Sequence, residues 1–301
     1  MDLKSVVYEE EVFFVIKCIV SDMDGTLLNS EEEISRENKQ AIELAQKNGV
    51  EVVIATGRSY IEARHALDEA ELLCPVISLN GAVVWNKEGI IVSSNPIEIN
   101  QFKEARKILD KSNLYYEIYT NKGTYSSNIE ESMASLVDIL ATAMPELEPL
   151  YITEKVSERF KSNLVTVIDD YDRLYDDPQI EFYKMFVFSP NIPLLGATGG
   201  ELKQETDLVI SSSGRGNLEI TSKESQKGIA LAHFLAERNI AMSDTMALGD
   251  SFNDVSMFEK VGRPVAMGNA PSEIKKICGE VTLTNNENGV AEAILKALNE
   301  K

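Results

Sequence analysis

Apolar runs of strand length alternate with helical patterns at both ends of the chain, and the middle breaks that rhythm. Phe13–Val20, interrupted only by Lys17, reads as a buried strand that runs straight into Ser21-Asp22-Met23-Asp24-Gly25-Thr26. Ser35 can cap a helix in which Ala41, Ile42, Leu44 and Ala45 lie close to one face, and Gly49 ends it. Val52–Ala55 is a second strand before Thr56-Gly57-Arg58, a helical stretch covers 60–72, and Val76–Leu79 is a third strand before Asn80-Gly81. The same rhythm returns after residue 223. Ile229, Ala232, Leu235 and Ala236 mark a helix, Thr245–Leu248 and Pro264–Met267 read as strands, and Val290, Ile294 and Leu298 give a final amphipathic helix. Strands without polar alternation, separated by helices of this length, imply βαβ units and a parallel sheet.

Between about 86 and 222 the pattern is of another kind. Tyr- and Val-rich strand candidates fall at 114–119, 164–168, 182–188, 208–212 and 217–221, with helical candidates near 101–112 and 131–142. Short polar turns such as Asn121-Lys122-Gly123 separate some of them, which suits an antiparallel α+β module. The stretch 190–200, with two Pro and three Gly, reads as a loop or a weak helix start. The simplest architecture is one α/β core built from 1–85 and 223–301, with 86–222 inserted as a second domain. The insert would cover a cleft at the ends of the core strands.

Composition narrows what such a chain can bind. Against 49 Asp and Glu there are 29 Lys and Arg, a formal net charge of −20, which argues against neutralising a nucleic-acid backbone. A small phosphorylated ligand stays open, because one pocket can be positive on a negative protein. Cys18, Cys74 and Cys278 form no CxxC pair, and two histidines, His65 and His233, provide no zinc spacing. A reduced, cytoplasmic setting follows from that cysteine usage. The Glu-rich start does not resemble a signal peptide, and no apolar run approaches the ~20 residues of a membrane span. Nothing in the sequence specifies an oligomeric state.

The chemistry gathers at the strand ends, where open α/β sheets bind ligands. Asp22 and Asp24 stand two residues apart as the chain leaves the first strand, and Gly25 permits the tight turn that lets two carboxylates serve one point. An acidic surface turn would look the same in isolation. A calcium loop does not fit, because the entering segment is strand-like and the sixth position is Leu27 where glycine is needed. Gly249-Asp250-Ser251-Phe252-Asn253-Asp254 follows a second strand and offers hard oxygen donors suited to Mg²⁺, or simply a helix cap. Thr56 brings a hydroxyl, and Gly57 beside it brings backbone N–H groups, to a strand-to-helix turn that could hold a phosphate. Lys227 opens a helix, where a cation gains nothing from the macrodipole, so it is either a site residue or a solvated surface lysine.

Asp22-Met23-Asp24-Gly25-Thr26, Thr56-Gly57-Arg58, Lys227-Gly228 and Gly249-Asp250 with Asn253-Asp254 resemble, in order, the four motifs of the haloacid dehalogenase (HAD) superfamily. The long insert resembles the C2-type cap of its Cof-type phosphatases, as do Asn80-Gly81-Ala82 and Leu218-Glu219-Ile220 at the two junctions. The likeness spans about residues 16–298 and implies a Rossmannoid α/β core with a parallel sheet plus an inserted α+β cap. It also implies roles. Asp22 would be the nucleophile that forms an aspartyl-phosphate, and Asp24 the general acid and base. Mg²⁺ would be held by the Asp22 carboxylate, the Asp24 backbone carbonyl and Asp250. Thr56, Gly57, Lys227 and Asn253 would bind the phosphoryl group, and Asp254 would orient Lys227 or a metal-bound water. The chain departs from these relatives in its ~15 residues before the first strand and in lacking Pro and Gly over Thr221–Gln226.

The reading that follows is a Mg²⁺-dependent phosphatase of small phosphorylated metabolites, such as sugar phosphates. A phosphomutase or phosphotransferase on the same scaffold would release little inorganic phosphate. A non-catalytic phosphometabolite-binding protein would have no need of an acid and base at Asp24. Arg58 reads as an ion-pairing residue near the site, His65 and His233 as packing or surface residues, and Trp85 as either a cleft wall or a packing residue.

Overall fold

The computed structural model describes residues 16–127, 165–212 and 216–300, together with 133, 134, 137, 148, 150, 152–154 and 157. In chain order the first part contains β1 (Cys18–Ser21), α1 (Arg36–Lys47), β2 (Glu51–Ala55), α2 (Tyr60–Glu69), β3 (Val76–Ser78), β4 (Val83–Trp85) and β5 (Ile91–Ser94). The middle contains α3 (Ile99–Lys111), β6 (Tyr115–Thr120), β7 (Gly123–Ser126), β8 (Val165–Val167), β9 (Phe182–Phe188), α4 (Ile192–Glu205), β10 (Leu208–Ser211) and β11 (Asn217–Ser222). The last part contains α5 (Lys227–Ala236), β12 (Thr245–Gly249), α6 (Val255–Phe258), β13 (Arg263–Ala266), α7 (Ser272–Cys278), β14 (Glu280–Val281) and α8 (Gly289–Asn299).

Among the described residues the strands form two sheets. The first runs β14-β13-β12-β1-β2-β3-β4-β5, parallel from β14 to β3 and antiparallel over the last two pairings. Its central strands are buried on both faces, which is why they read as unbroken apolar runs. One face packs on α1, α2 and α8 through residues such as Ile19, Ile42, Leu67 and Ile294, the other on α5–α7 through Val20, Leu231, Phe234 and Ile274. The first sheet takes in β5, so the junction expected at 85/86 falls inside the β4–β5 hairpin.

The second sheet runs β10-β11-β9-β6-β7-β8, antiparallel except for β7 with β8. Strand alternation gives it two different faces. Tyr116, Ile118, Met185, Val187 and Ile220 pack beneath α3 and α4. The register sets Tyr119 beside Lys184, and Glu117 and Glu219 beside Phe186, on the opposite face. That face meets the first sheet, where Leu79, Ala82 and Val83 form an apolar cluster with Tyr119 and Tyr183.

Four local expectations need correction. Among the described residues the first strand spans Cys18–Ser21, with Lys17 outside it and paired to Asp244 at 2.7 Å, while Phe13–Val15 lie outside the described residues. Ser35 caps α1 as expected, but Leu44 is 41% exposed while Ala41, Ile42 and Ala45 are buried. In α5 the buried face is Ala230, Leu231, Phe234 and Leu235, and Ala236 is exposed. Lys227 is itself buried and sets that face, since residues three, four, seven and eight further on share its side of the helix. The stretch 190–200 is mostly helix: Asn191 accepts from the Leu194 amide, Pro193 suits the first turn, and Gly199 lets α4 lie close to Leu218. The helical candidate at 131–142 lies largely outside the described residues.

Candidate active site

Asp22 stands where β1 ends, its amide donating to the Leu248 carbonyl of β12 at 3.0 Å, so two strand ends lie side by side. The chain then turns tightly over Met23–Leu27, with Gly25 at φ +74°. A Cβ on Gly25 would meet the Asp250 carboxylate at 2.6 Å, so only glycine permits this approach. The Thr26 hydroxyl donates to Asp250 Oδ1 at 3.0 Å, and Asn269 donates to the Gly25 carbonyl at 2.8 Å. The loop is thereby fixed against the end of β12.

Lys227 enters from the first turn of α5 and is fully buried, which rules out the solvated-lysine alternative. Its Nζ lies 2.5 Å from Asp22 Oδ1 and 2.7 Å from Asp254 Oδ1. The second oxygen of Asp254 accepts the backbone amides of Asp250 and Ser251, both at 3.0 Å. Both Asp254 oxygens are therefore engaged, holding Lys227 on one side and the 249–254 turn on the other. Asp22, Asp250 and Asp254 each offer an oxygen within 4.8 Å of the others. Three carboxyl groups thus gather at one ammonium, which pairs directly with Asp22 and Asp254.

The charge imbalance shows in the proton affinities. Burial raises the Asp22 pKa well above the carboxylate range, against the pull of Lys227 and with the help of Asp254, Asp250 and Asp24. Burial, then repulsion from Asp254, brings Asp250 up to about 7. Burial opposes the charge on Lys227, but Asp22 and Asp254 outweigh it and hold its pKa above the ordinary value. A divalent cation would supply the missing positive charge, and the donors present are the hard oxygens that Mg²⁺ takes. The residues fit such an ion.

The remaining motif residues assemble in two ways. Arg58 donates from Nε to both oxygens of Asp24 at 3.0 Å, and from Nη2 to one of them at 2.6 Å. The Asp24 carboxylate, 55% exposed, therefore faces Arg58 and stays outside the Asp22–Asp250–Asp254 group. The fork geometry matches that of a bidentate guanidinium–carboxylate pair. Thr56 is fully buried, its hydroxyl accepting from the Arg58 amide at 3.1 Å. Asn253 reaches the same turn through Asn80: its amide donates to Asn80 Oδ1 at 3.2 Å, and the Asn80 backbone N–H donates to the Thr56 carbonyl at 2.9 Å. Gly57 lies against Asn80 and Glu219.

Of two further site neighbours, Lys184 escaped the sequence reading and Glu219 entered it only within the junction motif Leu218-Glu219-Ile220. Lys184 donates to the Gly57 carbonyl at 2.7 Å, and Glu219 accepts from the Asn80 side chain. A signal was available, since each is a lone charge in an otherwise strand-like run, Phe182–Phe188 and Asn217–Ser222. His65 and His233 are exposed. Trp85 packs: its ring stacks on Tyr60 at 4.0 Å and its indole N–H donates to Ser78.

Strand-end carboxylates around a buried lysine, on a parallel sheet partly covered by a second sheet, define a phosphoryl-handling hydrolase. A family model for haloacid dehalogenase-like hydrolases matches residues 19–294, and the chain belongs to that family. Phosphatase YwpJ of Bacillus subtilis is 35% identical over 92% of this chain and 98% of its own length. The B. subtilis protein YwtE, named 5-amino-6-(5-phospho-D-ribitylamino)uracil phosphatase, is 34% identical over 92% of this chain and 96% of its own. A solved haloacid dehalogenase-like hydrolase from B. subtilis superposes with a TM-score of 0.85 at 34% identity, covering 93% of this chain and 99% of that one. The protein is a phosphoric monoester hydrolase of the HAD superfamily. No helix among the described residues is long and apolar enough to cross a membrane.

Proposed function

We propose that the protein is a Mg²⁺-dependent phosphatase of small phosphorylated metabolites that works through an aspartyl-phosphate on Asp22. The observation that carries this is the buried Lys227 bridging Asp22 and Asp254 beside Asp250, three carboxyl groups around one ammonium group. Asp22, Asp250 and the Asp24 carbonyl oxygen would hold Mg²⁺, which would supply positive charge against the repulsion between nucleophile and phosphate. An Asp22 oxygen attacks phosphorus as the bond to the leaving oxygen breaks. Lys227, Asn253, Thr56 and the Gly57 backbone hold the phosphoryl oxygens through this step. Asp24 gives a proton to the leaving alcohol, then takes one from the water that cleaves the acyl phosphate, which frees inorganic phosphate and restores Asp22. To do so Asp24 exchanges the Arg58 fork for the substrate oxygen, a movement its exposure allows. The second sheet stands over the strand ends and favours small substrates over folded phosphoproteins. In this reading the first sheet, β5 included, acts with its helices as the catalytic core, and the second sheet with α3 and α4 as the cap.

Phosphate release from a panel of esters, with and without Mg²⁺, tests the proposal. The panel holds sugar phosphates, pyridoxal phosphate and 5-amino-6-(5-phospho-D-ribitylamino)uracil, the compound in the name of the relative YwtE. Release should require Mg²⁺ and fall more than about a thousandfold in Asp22→Asn. Labelling of Asp22 without release would point to a mutase, and neither labelling nor release to a binding protein.

A further inference from the structure

The second sheet also sends a buried charge toward the site. The side chains of Lys184 on β9 and Glu219 on β11 are each 3% exposed and form an ion pair at 3.8 Å. Lys184 Nζ also lies 4.6 Å from the Tyr119 ring centre and 4.8 Å from that of Phe186. Its bond to the Gly57 carbonyl joins the second sheet to the Thr56–Arg58 turn. A Cβ on Gly57 would stand 3.5 Å from Glu219 Oε2, so the carboxylate is packed on that turn.

The direction of the hydrogen bonds leading away from Glu219 is what matters. A carboxylate only accepts, so Asn80 turns its NH₂ toward Glu219. Asn80 Oδ1 therefore faces Asn253, which must present its own NH₂ at 3.2 Å. That leaves one N–H of Asn253 for another acceptor, and its buried Oδ1 has no hydrogen-bond partner among the described residues. The backbone holds Asn80 rigidly in this orientation, at φ +58° and ψ +26°, between Leu79 at φ +50° and Gly81 at φ +103°. Left-handed conformations at consecutive non-glycine residues persist where the surroundings enforce them, and here two backbone bonds to Thr56 and Arg58 do so.

We infer that Glu219 is a positioning residue: acting through Asn80, it fixes the Asn253 carboxamide with an N–H aimed at the phosphoryl group. The inference rests on the phosphatase reading, because it assigns Asn253 to the phosphate. Phosphate affinity is then coupled to the seating of the second sheet, since Glu219 and Lys184 reach the site only from there. Replacing Glu219 by glutamine keeps the shape but removes the rule that the far end only accepts. Both amides can then invert and turn the Asn253 carbonyl oxygen toward an anion.

Competitive inhibition by inorganic phosphate, with p-nitrophenyl phosphate as substrate and Mg²⁺ present, reads the effect directly. Glu219→Gln should weaken inhibition and raise KM by about tenfold, the scale of one hydrogen bond to a charged group, with kcat changed far less. In an Asn253→Ala background the same substitution should add nothing, a non-additivity that a merely structural role does not produce. Asn80→Gly keeps the left-handed backbone and deletes the relay, so it should show the same tenfold loss and serves as the test if Glu219→Gln does not fold. Unchanged phosphate inhibition in the folded variants, or equal effects in both backgrounds, would overturn the inference while leaving an active phosphatase. A wild type that hydrolyses no ester would instead remove the reading on which it rests.

Discussion

Two groups of buried charge among the described residues are balanced differently. At the strand ends of the first sheet, Asp22, Asp250 and Asp254 face one Lys227. At the contact between the sheets, one Lys184 faces one Glu219. Both groups are largely buried, Asp250 being the one partly exposed member, and they differ in stoichiometry. At the strand ends burial, then repulsion among the carboxylates, raises the pKa of Asp22 and of Asp250, and the excess of carboxyl groups over the one lysine marks a place for a cation. The second-sheet pair sets one cation against one carboxylate, with Glu117 buried on the same face, and Lys184 also touches a backbone carbonyl and two aromatic rings, so the pair holds and directs its neighbours.

The contrast can be broken at the second-sheet pair first. Lys184→Met leaves a buried carboxylate without its cation and should cost about 3–5 kcal/mol of unfolding free energy, whereas Lys184→Met with Glu219→Leu should recover most of it. Denaturant melts of the three proteins decide this, and a double variant as unstable as the single would show that the two charges do not act as a pair. Next in size is the response to metal. Mg²⁺ at a hundredfold over its dissociation constant should stabilise the wild type by about 2.7 kcal/mol. Asp250→Asn should lose that gain and Glu219→Gln should keep it, as followed by thermal melting with and without chelator. Equal loss in both variants would erase the distinction drawn between the two places.

The smallest expected effect concerns a third group, which is partly exposed. Glu280 accepts from Arg263 at 2.9 Å and from Lys296 at 2.8 Å, and chiefly the Arg263 bond brings its pKa down to about 2. A depressed carboxylate pKa means the stabilisation is fully present above the unfolded value, near 4.5, and is lost as pH falls toward 2. Glu280→Gln should therefore cost about 1 kcal/mol at pH 7, a figure reduced by the pair's solvent exposure. The gap between variant and wild type should close toward pH 2. A gap that persists there would assign the effect to packing.

Much of this was legible from local pattern. The parallel strands announced themselves because a strand covered on both faces needs an unbroken apolar run, and each run was followed at once by its polar motif. The antiparallel strands of the second sheet were located almost to the residue from 114–119, 182–188 and 217–221. What failed was direction. The residues that marked α5 as a helix, Ile229, Ala232, Leu235 and Ala236, are not its buried face, Leu235 apart, because that face starts from a buried lysine, which hydropathy assigns to solvent. The helix at Ile192–Glu205 was underrated because the Asn191 cap and the packing of Gly199 offset its weak composition.

The sequence by itself determined the succession of strands and helices along the chain, the turn chemistry of Asp22–Thr26 and Gly249–Asp254, and the excess of carboxylates at those turns. These are short-range matters, set by propensity and by which residues adjoin a strand end. Tertiary structure alone decided that Asp24 meets Arg58, that Lys227 is shared by Asp22 and Asp254, and that Lys184 and Glu219 reach across to Gly57 and Asn80. Partners 27 to 205 residues apart, such as those of Lys227, are chosen by sheet register and by how the sheets seat on one another. A strand's pattern fixes which side chains share a face, but only the packed fold fixes what that face meets.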